Sequence, residues 1–253
     1  MSFMKPLEDL EEGIETYTAK SCIFHGGHGM LASRTGDKIV LKCPQAKDER
    51  IEIRDGKVEV KPAGLLSPEI VDKYLRNLKV IDMKAIREFI SDCFSRLVVP
   101  ARIIKIENED SCISIIYTFP CEIDAYRYRL SLDLTWTSKR VYISYGSRKS
   151  PLDSDMAKVV IYEAVNLSVA SDYEHFKERV EPSLKVLKSL VDSLALKPSE
   201  IKPFAYYYDE FELKFKDFVV KIQTTSKGIK SIRIDAKNLD ASAVARMLNE
   251  VIA

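Results

Sequence analysis

The chain reads as an α+β protein of two or three tandem modules, each an antiparallel β-meander followed by a helix. Three observations predict this. The segment IEIRDGKVEV, residues 51–60, alternates apolar and polar positions around Asp55-Gly56, the favoured pair for a two-residue type I′ hairpin. In YRYRLSLDLTW, Tyr126, Tyr128, Leu130, Leu132, Leu134 and Trp136 occupy every second position, giving a strand one apolar and one polar face. In DMKAIREFISDCFSRL, Met83, Ile86, Ile90, Cys93, Phe94 and Leu97 recur at helical spacing until Pro100 stops the run.

The first module, residues 1–80, holds CIF, MLASR, KIVLKC and the Asp55-Gly56 hairpin. It closes on GLLSPEIVDKYLRNL. There Ser67 caps a helix, Pro68 suits its first position, and Ile70, Val71, Tyr74, Leu75 and Leu78 form its apolar stripe. The second, residues 81–170, runs from the Met83 helix through RIIKI, CISIIYTF, the long strand and RVYISY. Its last helix is expected to be capped by Asp153 and to carry Met156, Val159, Val160, Tyr162 and Val165. The third, residues 171–253, predicts a helix that breaks or restarts near Pro182, then strands at FELKF, FVVKIQT and IKSIRID. A closing helix capped by Asp240 bears Val244, Met247, Leu248 and Val251. The last two modules share wording: TSKRVYISYGSRKSPLDSDMAKVVIYEAV and TSKGIKSIRIDAKNLDASAVARMLNEVI both run Thr-Ser-Lys, strand, Leu-Asp, helix. Small sheets of this kind rarely bury both faces alone, so the copies are expected to pack together.

With 46% hydrophobic and 30% charged residues, the chain has apolar material for a core and no signature of disorder. Its 39 basic and 38 acidic residues, net +1, argue against a surface that grips polyanions as a whole but leave room for a local basic patch. No apolar run approaches the ~18–20 residues of a membrane helix, and the acidic start MSFMKPLEDLEEGIE has no signal-peptide core. The expected location is the cytoplasm, with no membrane partner. Cys22, Cys43, Cys93, Cys112 and Cys121 contain no CxxC pair and read as reduced, mostly buried thiols. Glutamine occurs only at Gln45 and Gln223 amid abundant Lys, Glu, Arg, Ile and Val, a thermophile-like composition.

Chemistry-bearing residues concentrate in CIFHGGHGM, residues 22–30. Cys22, His25 and His28 are spaced by three, as zinc ligands can be, with Cys43 further on. No second close pair completes the set, and Gly26-Gly27 and Gly29 supply the backbone freedom of a turn, so a glycine-rich turn is the expected reading. HGG resembles the oxyanion loop of lipases and esterases, but the chain has no G-x-S-x-G elbow; GSRKS at 146–150 fails the pattern. Neither GxxxxGK[ST] nor GxGxxG occurs. The acidic pairs in LEDLEE and YYYDEFE read as solvated faces, His175 as a surface histidine, and Tyr206 to Tyr208 as core or interface.

A basic set is more distinctive. Arg127 and Arg129 lie on the polar face of the long strand, followed by Lys139, Arg140, Arg148 and Lys149. Over residues 82–169, helix-sheet-helix order with basic residues leading into the last helix is similar to the double-stranded-RNA-binding domain. That family sets a Lys/Arg cluster at the start of its final helix to meet phosphates. Here Arg148-Lys149 precede Ser150-Pro151-Leu152-Asp153, and Asp153 and Asp155 oppose phosphate.

By elimination, the sequence predicts a non-enzymatic cytosolic binding or assembly protein acting through sheet and helix surfaces. It is expected to engage a protein partner or a second copy of itself and to use no cofactor. Two alternatives stand beside it. One is RNA or DNA binding through Arg127, Arg129, Lys139, Arg140, Arg148 and Lys149. The other is a zinc-dependent enzyme or zinc-stapled module using Cys22, His25 and His28. Whether the protein is an enzyme is left open.

Overall fold

The computed structural model describes residues 2–46, 48–109, 111–123, 126–194, 197–203, 210–216, 218–225, 227–236 and 242. The fold is α+β; among the described residues there are three antiparallel sheets, and the longest helix follows the second of them.

The first sheet contains β1 (Met4–Pro6), β2 (Thr16–Ser21), β3 (Gly29–Thr35), β4 (Lys38–Lys42), β5 (Arg50–Arg54), β6 (Lys57–Lys61) and β7 (Lys79–Ile81). Strands β2 to β6 form a meander, and β7 inserts between β1 and β2. The β5–β6 turn is the Asp55-Gly56 pair, both at positive φ (50° and 72°), as a type I′ turn requires. Leu41 and Ile51 face each other in register and are fully buried, each worth roughly 1.5–3 kcal/mol of apolar burial. Their neighbours Lys42 and Arg50, also paired in register, lie on the opposite face. Helix α1 (Pro68–Leu75) starts at Ser67, whose hydroxyl accepts the Ile70 N–H at 3.4 Å. Lys20 Nζ donates to the carbonyls of Tyr74 and Arg76, satisfying the orphan oxygens at the end of α1. Helix α2 (Met83–Ser95) starts at Asp82, which accepts the Ala85 N–H, and buries Met83, Ile86, Ile90, Cys93 and Phe94.

The second sheet is a pure meander of β8 (Arg102–Glu109), β9 (Cys112–Thr118), β10 (Tyr128–Trp136), β11 (Val141–Tyr145) and β12 (Arg148–Pro151). Strict alternation of buried and exposed residues in β10 follows the pattern of its sequence. Strand β12 was not expected. Gly146, at φ 55°, turns the chain back so that Arg148 and Lys149 pair with Tyr145 and Ser144 instead of leading through a loop into the helix. Ahead of helix α3 (Met156–His175), the Ser154 hydroxyl, and not the expected Asp153 carboxylate, accepts the Met156 N–H at 3.2 Å. As expected, a helix starts afresh near Pro182. The run passes from α3 through one π-helical segment, Phe176–Val180, into α4 (Glu181–Ser193), and Pro182 sits in the first turn of α4.

The third sheet is a meander of β13 (Glu200–Pro203), β14 (Glu210–Lys214), β15 (Phe218–Thr225) and β16 (Gly228–Ala236). The expected Asp240 helix and Tyr206 to Tyr208 lie outside the described residues. Compact packing divides the chain into two units, each discontinuous in sequence. One comprises 1–97, 105–115 and 129–167, the other 98–104, 116–128 and 168–253. Among the described residues, no helix is long and apolar enough to cross a membrane.

Candidate metal centre

In an antiparallel meander, alternate turns emerge at the same end of the sheet. The β2–β3 and β4–β5 turns are such a pair, two strand spacings or roughly 10 Å apart. The two turns are built alike. Cys22 opens the first and donates its N–H to the His28 carbonyl; Cys43 opens the second and donates to the Glu49 carbonyl. Each thus places a cysteine and a second metal-ligating side chain six residues apart, at the closing pair of a turn. Gly26 and Gly27, at φ 69° and 70°, let the first turn fold back. Gly29 serves otherwise: it lies in β3, and a Cβ there would come within 2.6 Å of the Trp136 indole nitrogen.

Ligating atoms of Cys22, His28 and Cys43 all lie within 4.8 Å of one another. Cys43 Sγ is 3.6 Å from His28 Nε2. A tetrahedral zinc with bonds of ~2.3 Å to sulfur and ~2.0–2.1 Å to nitrogen holds such a pair about 3.6 Å apart. A second group, His25, Cys43 and Glu49, meets the same 4.8 Å limit and shares the Cys43 sulfur. Cys22 and Cys43 are only 3% and 2% exposed and belong to the apolar core that includes Leu10, Met30, Leu41 and Ile51.

Burial, reinforced by the neighbouring Cys43 thiol, pushes the Cys22 thiol up to about 11, while main-chain N–H groups of His25 and Phe24 pull the other way. Burial and nearby His25 lower the His28 imidazole below its usual value, which favours the neutral, ligating form. The Cys22 thiol resists becoming a thiolate in such a place, and a bound cation inverts that preference.

The sequence alone pointed to Cys22, His25 and His28. The structure joins Cys22 and His28 to Cys43, and it turns His25 towards Glu49, with Nε2 2.6 Å from Oε2. Cys43 stands 21 residues from Cys22 at the end of the strand-like KIVLKC, and only the meander register brings the two turns side by side.

The basic residues are dispersed. Arg129 pairs with Glu109 and the Ser114 hydroxyl at the start of β10. Lys139 and Arg140 follow the other end of that strand, at the β10–β11 turn, roughly 20 Å away at ~3.3 Å per residue. Arg148 pairs with Glu163 at 3.4 Å, and Lys149 lies over the Tyr142 ring. Asp133 stands on the exposed face of β10 between these positions. Arg127 donates to the Tyr126 carbonyl. His175 is half-buried, with Nδ1 3.1 Å from the Tyr128 hydroxyl.

No family model, curated protein or solved structure matches the chain.

Proposed function

We propose that Cys22, His28 and Cys43 hold one zinc ion that staples the first sheet, and that the chain is a non-catalytic binding or assembly protein built on that stapled sheet. The observation that carries this reading is the convergence of two sulfurs and one imidazole from two like-built turns within 4.8 Å of one another, with the Cys43–His28 pair at tetrahedral spacing. Sulfur with nitrogen donors selects zinc over magnesium or calcium. A structural role is supported by the burial of both sulfurs in the apolar core. Met156, Val159, Tyr162 and Leu167, exposed on α3, offer apolar surface for a partner. The test is elemental analysis of protein purified without chelator, beside its Cys22→Ser and Cys43→Ser variants. One zinc per wild-type chain, absent from both variants, is expected. A folded wild-type protein that stays zinc-free after incubation with the ion refutes the proposal.

A further inference from the structure

Three protein ligands leave a tetrahedral ion one position short, and that position decides whether the site is closed or open to water. The second group of ligating atoms bears on it. Glu49 Oε2 is buried and, although 2.6 Å from His25 Nε2, it is aligned for no hydrogen bond. A buried carboxylate oxygen without an aligned donor is costly, so a small rotation of the His25 ring that makes the Nε2–H donation is favourable. With Nε2–H committed to Glu49, the nitrogen left for a metal is Nδ1. Histidine ligands commonly donate their second ring N–H to a carboxylate in this way, which fixes tautomer and orientation.

We infer that His25 closes the site as the fourth ligand through Nδ1, and that Glu49 is the positioning residue that holds its ring. This rests on the zinc-staple reading. It makes the centre Cys22–Cys43–His25–His28, two ligands from CIFHGGHGM beyond Cys22 itself, and it leaves no position for a reacting water.

The test is cobalt(II) titration of the full-length, metal-stripped chain, followed by the d–d and sulfur-to-cobalt bands. Wild-type protein should take up one equivalent with an intense four-coordinate spectrum that added azide or imidazole does not change. His25→Ala should still bind one cobalt, but with a spectrum that now responds to imidazole. Glu49→Gln should keep the wild-type spectrum and bind about 10–100-fold more weakly. A wild-type spectrum that shifts with azide, a His25→Ala spectrum identical to wild type, or two equivalents per chain sharing the Cys43 sulfur would each overturn the inference while leaving a metal site standing. Absence of any cobalt or zinc binding would remove the staple itself.

Discussion

The indole N–H of Trp136 donates to the main-chain carbonyl of Thr18 at 2.8 Å, tying β10 to β2, and the ring lies against Gly29. A methyl group at position 29 would meet the indole nitrogen at 2.6 Å and the Thr18 carbonyl oxygen at 2.7 Å. The second neighbour is main chain, so rotamer change cannot relieve the clash. Gly29→Ala should therefore destabilise the protein by about 1–3 kcal/mol, the range for overpacking. Urea unfolding followed by far-UV circular dichroism measures it. An unchanged midpoint would show that the indole is not held there.

Trp136 is the sole tryptophan, and the residue beneath it directly follows His28. Its emission should report on the turn proposed to hold zinc. Stripping zinc with a strong chelator is expected to shift the emission and lower Tm, and restoring zinc should reverse both. Ligand present at a thousand times its Kd stabilises the folded state by about 4.1 kcal/mol. Cys43→Ser should start from the lower Tm and ignore both treatments. If wild type and Cys43→Ser respond alike, zinc acts elsewhere.

The fold was legible wherever local periodicity sets structure: the Asp55-Gly56 hairpin, the Ser67 cap and the β10 alternation all follow from neighbours in sequence. The shared Thr-Ser-Lys wording also has a local cause. Thr137 and Thr225 both open hairpin turns, and each hydroxyl accepts an N–H two residues on, from Lys139 and Lys227. Short strands such as β7 and β12 were not legible, because three or four residues carry too little period; pairing with a long neighbour makes them strands. The candidate metal site was half legible. CIFHGGHGM announces three of its residues, whereas Cys43 and Glu49 join them through register alone. His175 looked like a surface residue because its partner, Tyr128, is 47 positions away.

Tyr117 in β9 donates a hydrogen bond to Asp172 Oδ2 on α3. Burial raises the Asp172 carboxyl above its ordinary value near 3.8, opposed by the Tyr117 bond and by nearby His175. The folded state then binds more protons than the unfolded one between the two values. This group's contribution is fully present below about 3.8 and falls as pH rises through the folded value. Asp172→Asn should flatten that part of the stability profile. Tyr117→Phe removes the donor that favours the charged form and should steepen it. At neutral pH it should cost about 1 kcal/mol, the low end for a lost partner because the carboxylate is half-exposed. Chemical denaturation between pH 3 and 7 separates the three proteins.

Glu52 behaves in the opposite sense. Lys38 and Arg50 each approach its carboxylate to 2.7 Å, and Lys61 reaches it at 3.5 Å. The bond from Lys38, then that from Arg50, holds the carboxyl down at about 2, against an ordinary value of 4.5. A depressed folded value means that its contribution is present above 4.5 and is lost as pH falls through the folded value near 2. Glu52→Gln should therefore be less stable than wild type at neutral pH, and the two should converge as the solution is acidified towards pH 2. High salt should narrow the neutral-pH gap, since the cluster lies on the solvent side of the sheet. Thermal unfolding of both proteins across that range, at low and high salt, is the measurement. A gap that persists undiminished at pH 2 would show that the Gln side chain disturbs packing and that the charge cluster contributes nothing to the acid profile.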